Sequence, residues 1–471
     1  MDNGQPLAEP PAAAGINHHR DNFQAVLGFR ALFSGAVGIV VGQNAIVSVL
    51  HGVGYGGFDF LVVLGIGFLF ALCNAATFSE LSLMLPRAGG LSTYTEVALG
   101  NFPAIVATFS GYVVVAMFGL SAEIKLVDDV MGTLFPGVLP PLVLPFTLLG
   151  VFVVLNIRGT DVFARLQNVL TFLTITICLA LGLSALTRTG APLPPGQVPF
   201  ADWGALDGGI FNLMTLGIWA FTGLEFICPL IEEARDPARN IPRAMLLGSL
   251  TIGIVYLLLA LGAGTYLNRR ALLGPVPHLI YAVAVFGKPA RIAVAVIALT
   301  ASGSVVNTVL AGVSRMLYGM ARNGQVFPVF KRLHRKHQTP SVAIVFMALI
   351  TAVPLTLIGS DPDAITTLLI AASASWLLAY IVAHLDVIVL RRRMPTLARP
   401  FKTPLYPLPQ VLGIGGMTYA IINNSPSPEM TKTVFLLTGV VLLGVSAMAA
   451  YWVKAVMKRG LFEPSATGRA S

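Results

Sequence analysis

A dozen apolar runs, each of roughly 20 residues, constrain this chain more than any other feature, because that is the length an α-helix needs to cross a bilayer. They fall at 28–50, 60–84, 103–127, 139–156, 166–187, 208–230, 244–266, 290–318, 341–358, 364–390, 405–423 and 433–453 of the 471 residues. Only 11% of the residues are charged and the mean hydropathy is +0.80, whereas soluble domains run near 25% charged. That charge cannot coat a water-facing surface, so a soluble enzyme of two or three domains is excluded. The sequence predicts an all-α membrane protein with about 12 transmembrane helices in one polytopic domain.

The net charge of +9 follows from topology and does not signal nucleic-acid binding. The termini and the alternate loops on their side hold 23 of the 30 Lys and Arg residues, among them Arg235, Arg239, Arg243 and the Arg391–Arg393 run. The other side holds seven: Lys125, Arg188, Arg269, Arg270, Lys288, Arg291 and Lys432. Because Lys and Arg concentrate on the inside, both termini are expected in the cytoplasm, in a bacterial inner membrane. Residues 1–27 read as a polar tail without the apolar core of a signal peptide, and 454–471 as a second tail. Cys73, Cys178 and Cys228 lie within or at the end of spans, too far apart for a zinc site or disulfide framework. No cofactor or metal is expected. Residues 52–57 fit GxGxxG, but they follow a span with no strand before them, so an outside turn is expected.

Four stretches carry a resemblance. Residues 79–100 contain Glu80, Leu81, Pro86, Arg87, Ala88, Gly89, Gly90, Tyr94, Ala98 and Gly100. Residues 219–244 contain Phe221, Gly223, Glu225, the Glu232-Glu233 pair, Asn240, Ile241, Pro242 and Arg243. The others are SRMLYGMARNGQVFP at 314–328 and LRRRMPTLARPFKTPLYP at 390–407. In order and spacing they resemble the amino acid–polyamine–organocation (APC) transporter superfamily, amino acid permease type. The resemblance implies a LeuT-type five-plus-five inverted repeat, here 28–187 and 208–390 within a transport core of 28–390. Two added helices follow at 405–453.

Such carriers bind substrate at mid-membrane, where the first helix of each repeat is interrupted. Spans one and six are the glycine-loaded candidates, with Gly35, Gly38 and Gly42 in the first and Gly217, Gly223 and Pro229 in the sixth. A break exposes backbone groups that cost several kcal/mol to leave unpaired. A polar solute can supply partners, and a half-helix N-terminus favours its carboxylate. The competing reading is that these glycines only permit close helix packing. By resemblance the substrate lies against Val41, Gly42, Gln43, Asn44, Trp219, Phe221 and Gly223. The family's first-helix segment usually has a second glycine where this chain has Asn44, so amide side chains replace part of the bare-backbone cradle and leave room for an amine without a carboxylate.

Glu225 is a carboxylate inside a span, which marks a functional site by default. It resembles a glutamate linked to proton coupling in family members. Trp219 could stack on a cation or aliphatic chain. Lys125 stands three and four residues before Asp128 and Asp129, so those three are expected to neutralise one another. Glu123 is left over, either facing the cavity or solvated at the outer rim. Some proton-coupled relatives carry a lysine near Thr174. Ser302, Ser304 and Asn307 offer oxygen atoms that could support Na⁺ or simply bond between helices. The expectation is a secondary active transporter of an amino acid or related organic amine, coupled to protons or exchange rather than sodium. Alternatives are a polyamine- or ethanolamine-type permease, a sodium-coupled carrier, a channel or a non-transporting sensor. A membrane-embedded enzyme would need a catalytic constellation, and none is evident.

Overall fold

The computed structural model describes residues 23–190, 208–357, 362–424 and 428–466. They are helical almost throughout, and among them the extended pairing is the isolated bridge of Leu27 with Ala234. Among the described residues, eight helical segments are long and apolar enough to cross a membrane, and five apolar helices are shorter.

The first expected span is two helices, α1 (Phe29–Val40) and α2 (Gln43–Gly56), parted at Val41 and Gly42. After α3 (Phe60–Met84), a short helix α4 (Leu91–Ala98) leads into the third span. That span consists of α5 (Asn101–Thr108), a π-helical turn over Phe109–Val114, and α6 (Val115–Leu134). The helices α7 (Val143–Ile157) and α8 (Thr160–Leu186) follow. The sixth span is again interrupted: α9 (Met214–Trp219) stops, and the chain resumes as a 3₁₀ helix over Leu224–Glu233. Beyond α10 (Pro237–Tyr266) come two short helices with no counterpart among the expected spans, α11 (Arg269–Leu272) and α12 (Pro277–Phe286). The chain ends with α13 (Ala290–Arg322), α14 (Ser341–Leu357), α15 (Pro362–Arg393), α16 (Leu408–Ile422) and α17 (Pro428–Tyr451). The GxGxxG stretch is not the outside turn expected of it, because α2 runs on to Gly56 and the turn comes at Gly57–Asp59.

Burial grades from the middle outward. The interrupted Gly209–Glu233 segment is almost wholly enclosed, while Thr431–Val456 leaves most of its apolar surface free for lipid. Close approach of helices depends on small residues. A Cβ on Gly67 would lie 2.4 Å from the Gly217 carbonyl oxygen, so α3 and α9 meet backbone to backbone. Two arginine–glutamate pairs lie inside the bundle, where an unpaired charge is costly. Arg315 on α13 holds Glu233 through Nη2–Oε1 at 2.9 Å, and Arg391 on α15 holds Glu80 on α3 through Nη2–Oε2 at 2.7 Å. These bridges tie the ends of the helices on the side rich in Lys and Arg.

Candidate substrate site

An interrupted helix leaves donors and acceptors that must find partners inside the bundle. At the first break the Val40 carbonyl accepts from the Tyr256 hydroxyl of α10 at 2.7 Å. The exposed N-terminus of α2 is met by a carboxylate. Gln43 N donates to Glu123 Oε1 at 2.7 Å, and Asn44 N donates to Glu123 Oε2 at 3.0 Å. Ser302 Oγ of α13 donates to the same Oε1 at 2.6 Å. The Gln43 side chain extends the network, donating to Ser302 Oγ at 2.7 Å while its Oε1 lies 3.1 Å from His278 Nε2 of α12.

The second break turns on Gly223, whose φ of +124° a residue with a Cβ rarely adopts. Its N–H donates to the Tyr380 hydroxyl at 3.1 Å, and that hydroxyl donates to Glu225 Oε2 at 2.7 Å. Trp376 Nε1 donates to Glu225 Oε1 at 3.1 Å. Two side chains of α15 thus hold the carboxylate just beyond the break.

Between the two breaks lies a cavity of about 60 Å³, walled by α1, α2, α6, α9, α13, α15 and the segment around Thr222 and Phe226. Its polar edge is Asn44, Glu123 and Thr222; Trp219 and Trp376, edge to face with centroids 5.7 Å apart, form an aromatic wall. The rest is aliphatic apart from Phe226. Glu123 is 2% exposed and faces this cavity, so of its two expected positions the solvated rim is the wrong one. Lys125 pairs with Asp129 and lies 3.9 Å from Asp128, as the spacing predicted.

The expected binding residues divide. Gly42, Asn44, Glu123 and Trp219 line the cavity, whereas Val41, Gln43, Phe221 and Gly223 do not, and neither does Glu225, expected for coupling. Val41 and Gly223 form the breaks, Gln43 points towards Ser302, and Glu225 stands behind Trp376. Phe221 packs against Phe68 and Tyr256, with ring centroids 5.9 and 5.8 Å away, because the turn after Trp219 sends it outward and presents Thr222 instead. Trp376 and Phe226 were missed; the signal for Trp376 was a lone indole in the middle of an otherwise small and aliphatic run. Gly35 and Gly38 serve packing: a Cβ on Gly38 would lie within 2.4 Å of Ser304 Oγ, Thr171 Oγ1 and Gln167 Nε2.

The residues expected to support coupling fall into separate groups. Thr174 bonds to Thr300 at 2.9 Å, and Ser302 belongs to the Glu123 network. Ser304 and Asn307 both bond to Gln167, whose Nε2 donates to Ser304 Oγ at 2.5 Å and whose Oε1 accepts from Asn307 Nδ2 at 2.8 Å. The Ser34 carbonyl, which faces the same point, accepts from Gln167 and Thr171. An amide donor therefore occupies the middle of this oxygen cluster.

Paired helix breaks around a cavity, in a bundle of membrane-length apolar helices, define the class as a membrane transporter. The fold is shared with a mutant of the Eremococcus coleocola manganese transporter (TM-score 0.60, 12% identity, 91% of this chain and 94% of that one). It is also shared with a Na⁺-coupled sialic acid symporter (TM-score 0.55, 12% identity, 86% and 92%). Sequence narrows the class: the amino acid permease family matches residues 27–446, and the chain belongs to that family. Relatives include the branched-chain amino acid permease BcaP of Bacillus subtilis, 25% identical over 88% of this chain and 90% of that protein. The human cystine/glutamate transporter is 26% identical over 87% of this chain and 82% of its own length.

Proposed function

We propose that this chain is a secondary active carrier that moves an amino acid or related organic amine across a bacterial cytoplasmic membrane by alternating access. The observation that carries the reading is the cavity between the Val41–Gly42 and Gly223 breaks, within the bundle. On this reading 28–187 and 208–390 are inverted repeats, the helices of 405–453 are additions, about 12 helices cross the bilayer, and both termini face the cytoplasm. Rocking one helix bundle against the other would open the cavity to each side in turn. The substrate lies against Gly42, Asn44, Glu123 and Trp219, with Trp376 and Thr222 completing the wall.

Coupling to a proton or to exchange fits better than coupling to sodium. The oxygens of Ser34, Thr171 and Ser304 converge on the Gln167 amide, which donates where a cation would need acceptors only. Glu225, bonded through Tyr380 to the backbone of the second break, can link gain or loss of a proton to the shape of that break. Counterflow in proteoliposomes tests the class. Saturable uptake accelerated by unlabelled substrate inside supports a carrier, while conductance without trans-stimulation rejects it.

A further inference from the structure

We infer that Glu123 fills the anion position of this site with the protein's own carboxylate, so that the cavity takes a small organic ammonium ion lacking an α-carboxylate. The inference rests on the carrier reading of the cavity and adds the substrate's chemical class.

A half-helix N-terminus inside a membrane is a carboxylate site by its geometry, because its first N–H groups have no partner within the helix. Here the donors of Gln43 and Asn44 are taken. Gln43 N and Asn44 N both donate to Glu123, which also receives the Ser302 hydroxyl. The fit is close: a Cβ on Gly42 would stand 3.1 and 3.2 Å from the two Glu123 oxygens, so the bare backbone makes room for this side chain. An ionised carboxylate has about four acceptor positions. Three are used, two on Oε1 and one on Oε2, and Glu123 still borders the cavity.

The remaining wall suits a cation. Among the described lining residues Glu123 is the one charged side chain, and no Lys, Arg or His joins it. A zwitterion would set its carboxylate beside that of Glu123 with the Gln43 and Asn44 donors already engaged, a like-charge contact in a site of low dielectric. A primary ammonium would instead complete the acceptor set of Glu123, with the Thr222 side chain and the rings of Trp219 and Trp376 lining the same small space. The cavity volume limits the apolar part to a short chain. This class differs from the amino acids named for the relatives.

Matched pairs that differ only in the carboxylate supply the test: ethylamine against alanine, and 2-methylpropan-1-amine against valine. Binding to the purified full-length protein is read by thermal shift, since only ligands of the folded state stabilise it, and by competition for labelled 2-methylpropan-1-amine. The expected result is preference for the amine over its amino acid by about tenfold or more. The preference should fall or reverse in Glu123→Ala, which frees the Gln43 and Asn44 N–H groups for a substrate carboxylate. Glu123→Gln keeps the shape, guards against a folding defect in the alanine variant, and should lose amine affinity. Wild-type preference for valine, removed by Trp219→Ala, overturns the inference and leaves the carrier reading standing. Binding of neither member of either pair overturns the inference, and absence of counterflow with any amine or amino acid overturns the carrier reading as well.

Discussion

Replacing Tyr380 with phenylalanine probes the second break most directly. The ring packing survives, because the contacts with Phe78 and Trp376, at centroid distances of 5.6 and 6.2 Å, do not involve the hydroxyl. Two hydrogen bonds are lost, the acceptor for Gly223 N at 3.1 Å and the donor to Glu225 Oε2 at 2.7 Å. Soluble-protein values put an orphaned buried N–H at about 1–3 kcal/mol and a bond to a charged group at about 1.5–3. Interhelical bonds measured within membranes are weaker, averaging about 0.6 and reaching about 1.7 kcal/mol, because the unfolded chain in lipid also finds partners. The membrane figure should govern side chains that reach between helices, while the Gly223 N–H in a broken helix has no second choice. Together they give a loss of about 2 kcal/mol, roughly 30-fold in the folding equilibrium. Unfolding by denaturing detergent in mixed micelles measures it, and counterflow on the same preparation reads the function. Tyr281→Phe is the control, since its buried hydroxyl has no hydrogen-bond partner, and it should be close to neutral. A loss below about 0.5 kcal/mol for Tyr380→Phe, with counterflow unchanged, would refute the claim that this hydroxyl holds the break.

Four further outcomes follow from the same geometry. Glu225→Gln should flatten the pH dependence of uptake while the protein still folds; a wild-type pH profile removes Glu225 from coupling. Trp219→Ala should raise the apparent KM, and unchanged kinetics in proteoliposomes would exclude stacking on the substrate. Gly38→Ala should destabilise by about 1–3 kcal/mol through overpacking against Gln167, Thr171 and Ser304, visible as a lower thermal midpoint in detergent; a wild-type midpoint would show the helices free to part there. Glu96, on α4 outside the spans, has its pKa raised chiefly by burial, against the pull of Ser465, Arg459, Arg87 and Asn323. A carboxyl group raised on folding contributes stability that is complete below its unfolded pKa and is lost as pH rises through the folded value. Thermal midpoints of wild type and Glu96→Gln should therefore separate as pH rises through that window, to the disadvantage of the wild type, and parallel curves would refute the assignment.

Helix placement was legible because spans carry their own signal: lipid demands long apolar runs, and most observed helices begin or end within several residues of the runs. The interruptions were legible in part. Gly42 and Gly223 mark real breaks, but Gly35, Gly38 and Gly217 look the same in sequence and pack against neighbours, since a glycine answers either to φ or to space. The α11 and α12 helices escaped detection because they are too short to raise an apolar run of spanning length. The wall of the cavity was less legible. Phe221 and Phe226 are both aromatic and five residues apart, and only the turn after Trp219 determines that Phe226 lines the cavity while Phe221 packs behind. Ser302, Ser304 and Asn307 share a helix, yet two residues of separation rotate Ser302 towards Glu123 and Ser304 towards Gln167.

The two breaks solve one physical problem with the same kind of group. Each leaves backbone N–H donors in a place without lipid or bulk water to receive them, and at each a carboxylate ends the chain of bonds, directly through Glu123 or through the Tyr380 hydroxyl to Glu225. The carboxylates differ in what surrounds them. Glu123 borders the cavity and is held by α2 and α13, so a solute that binds there acts on contacts between those helices. Glu225 is shielded from the cavity and is held by α15, so its protonation acts on the second break without touching the solute. On the proposed carrier reading one acid senses the cargo and the other the proton, and a carrier needs the two kept apart if each is to bias the same rocking motion independently.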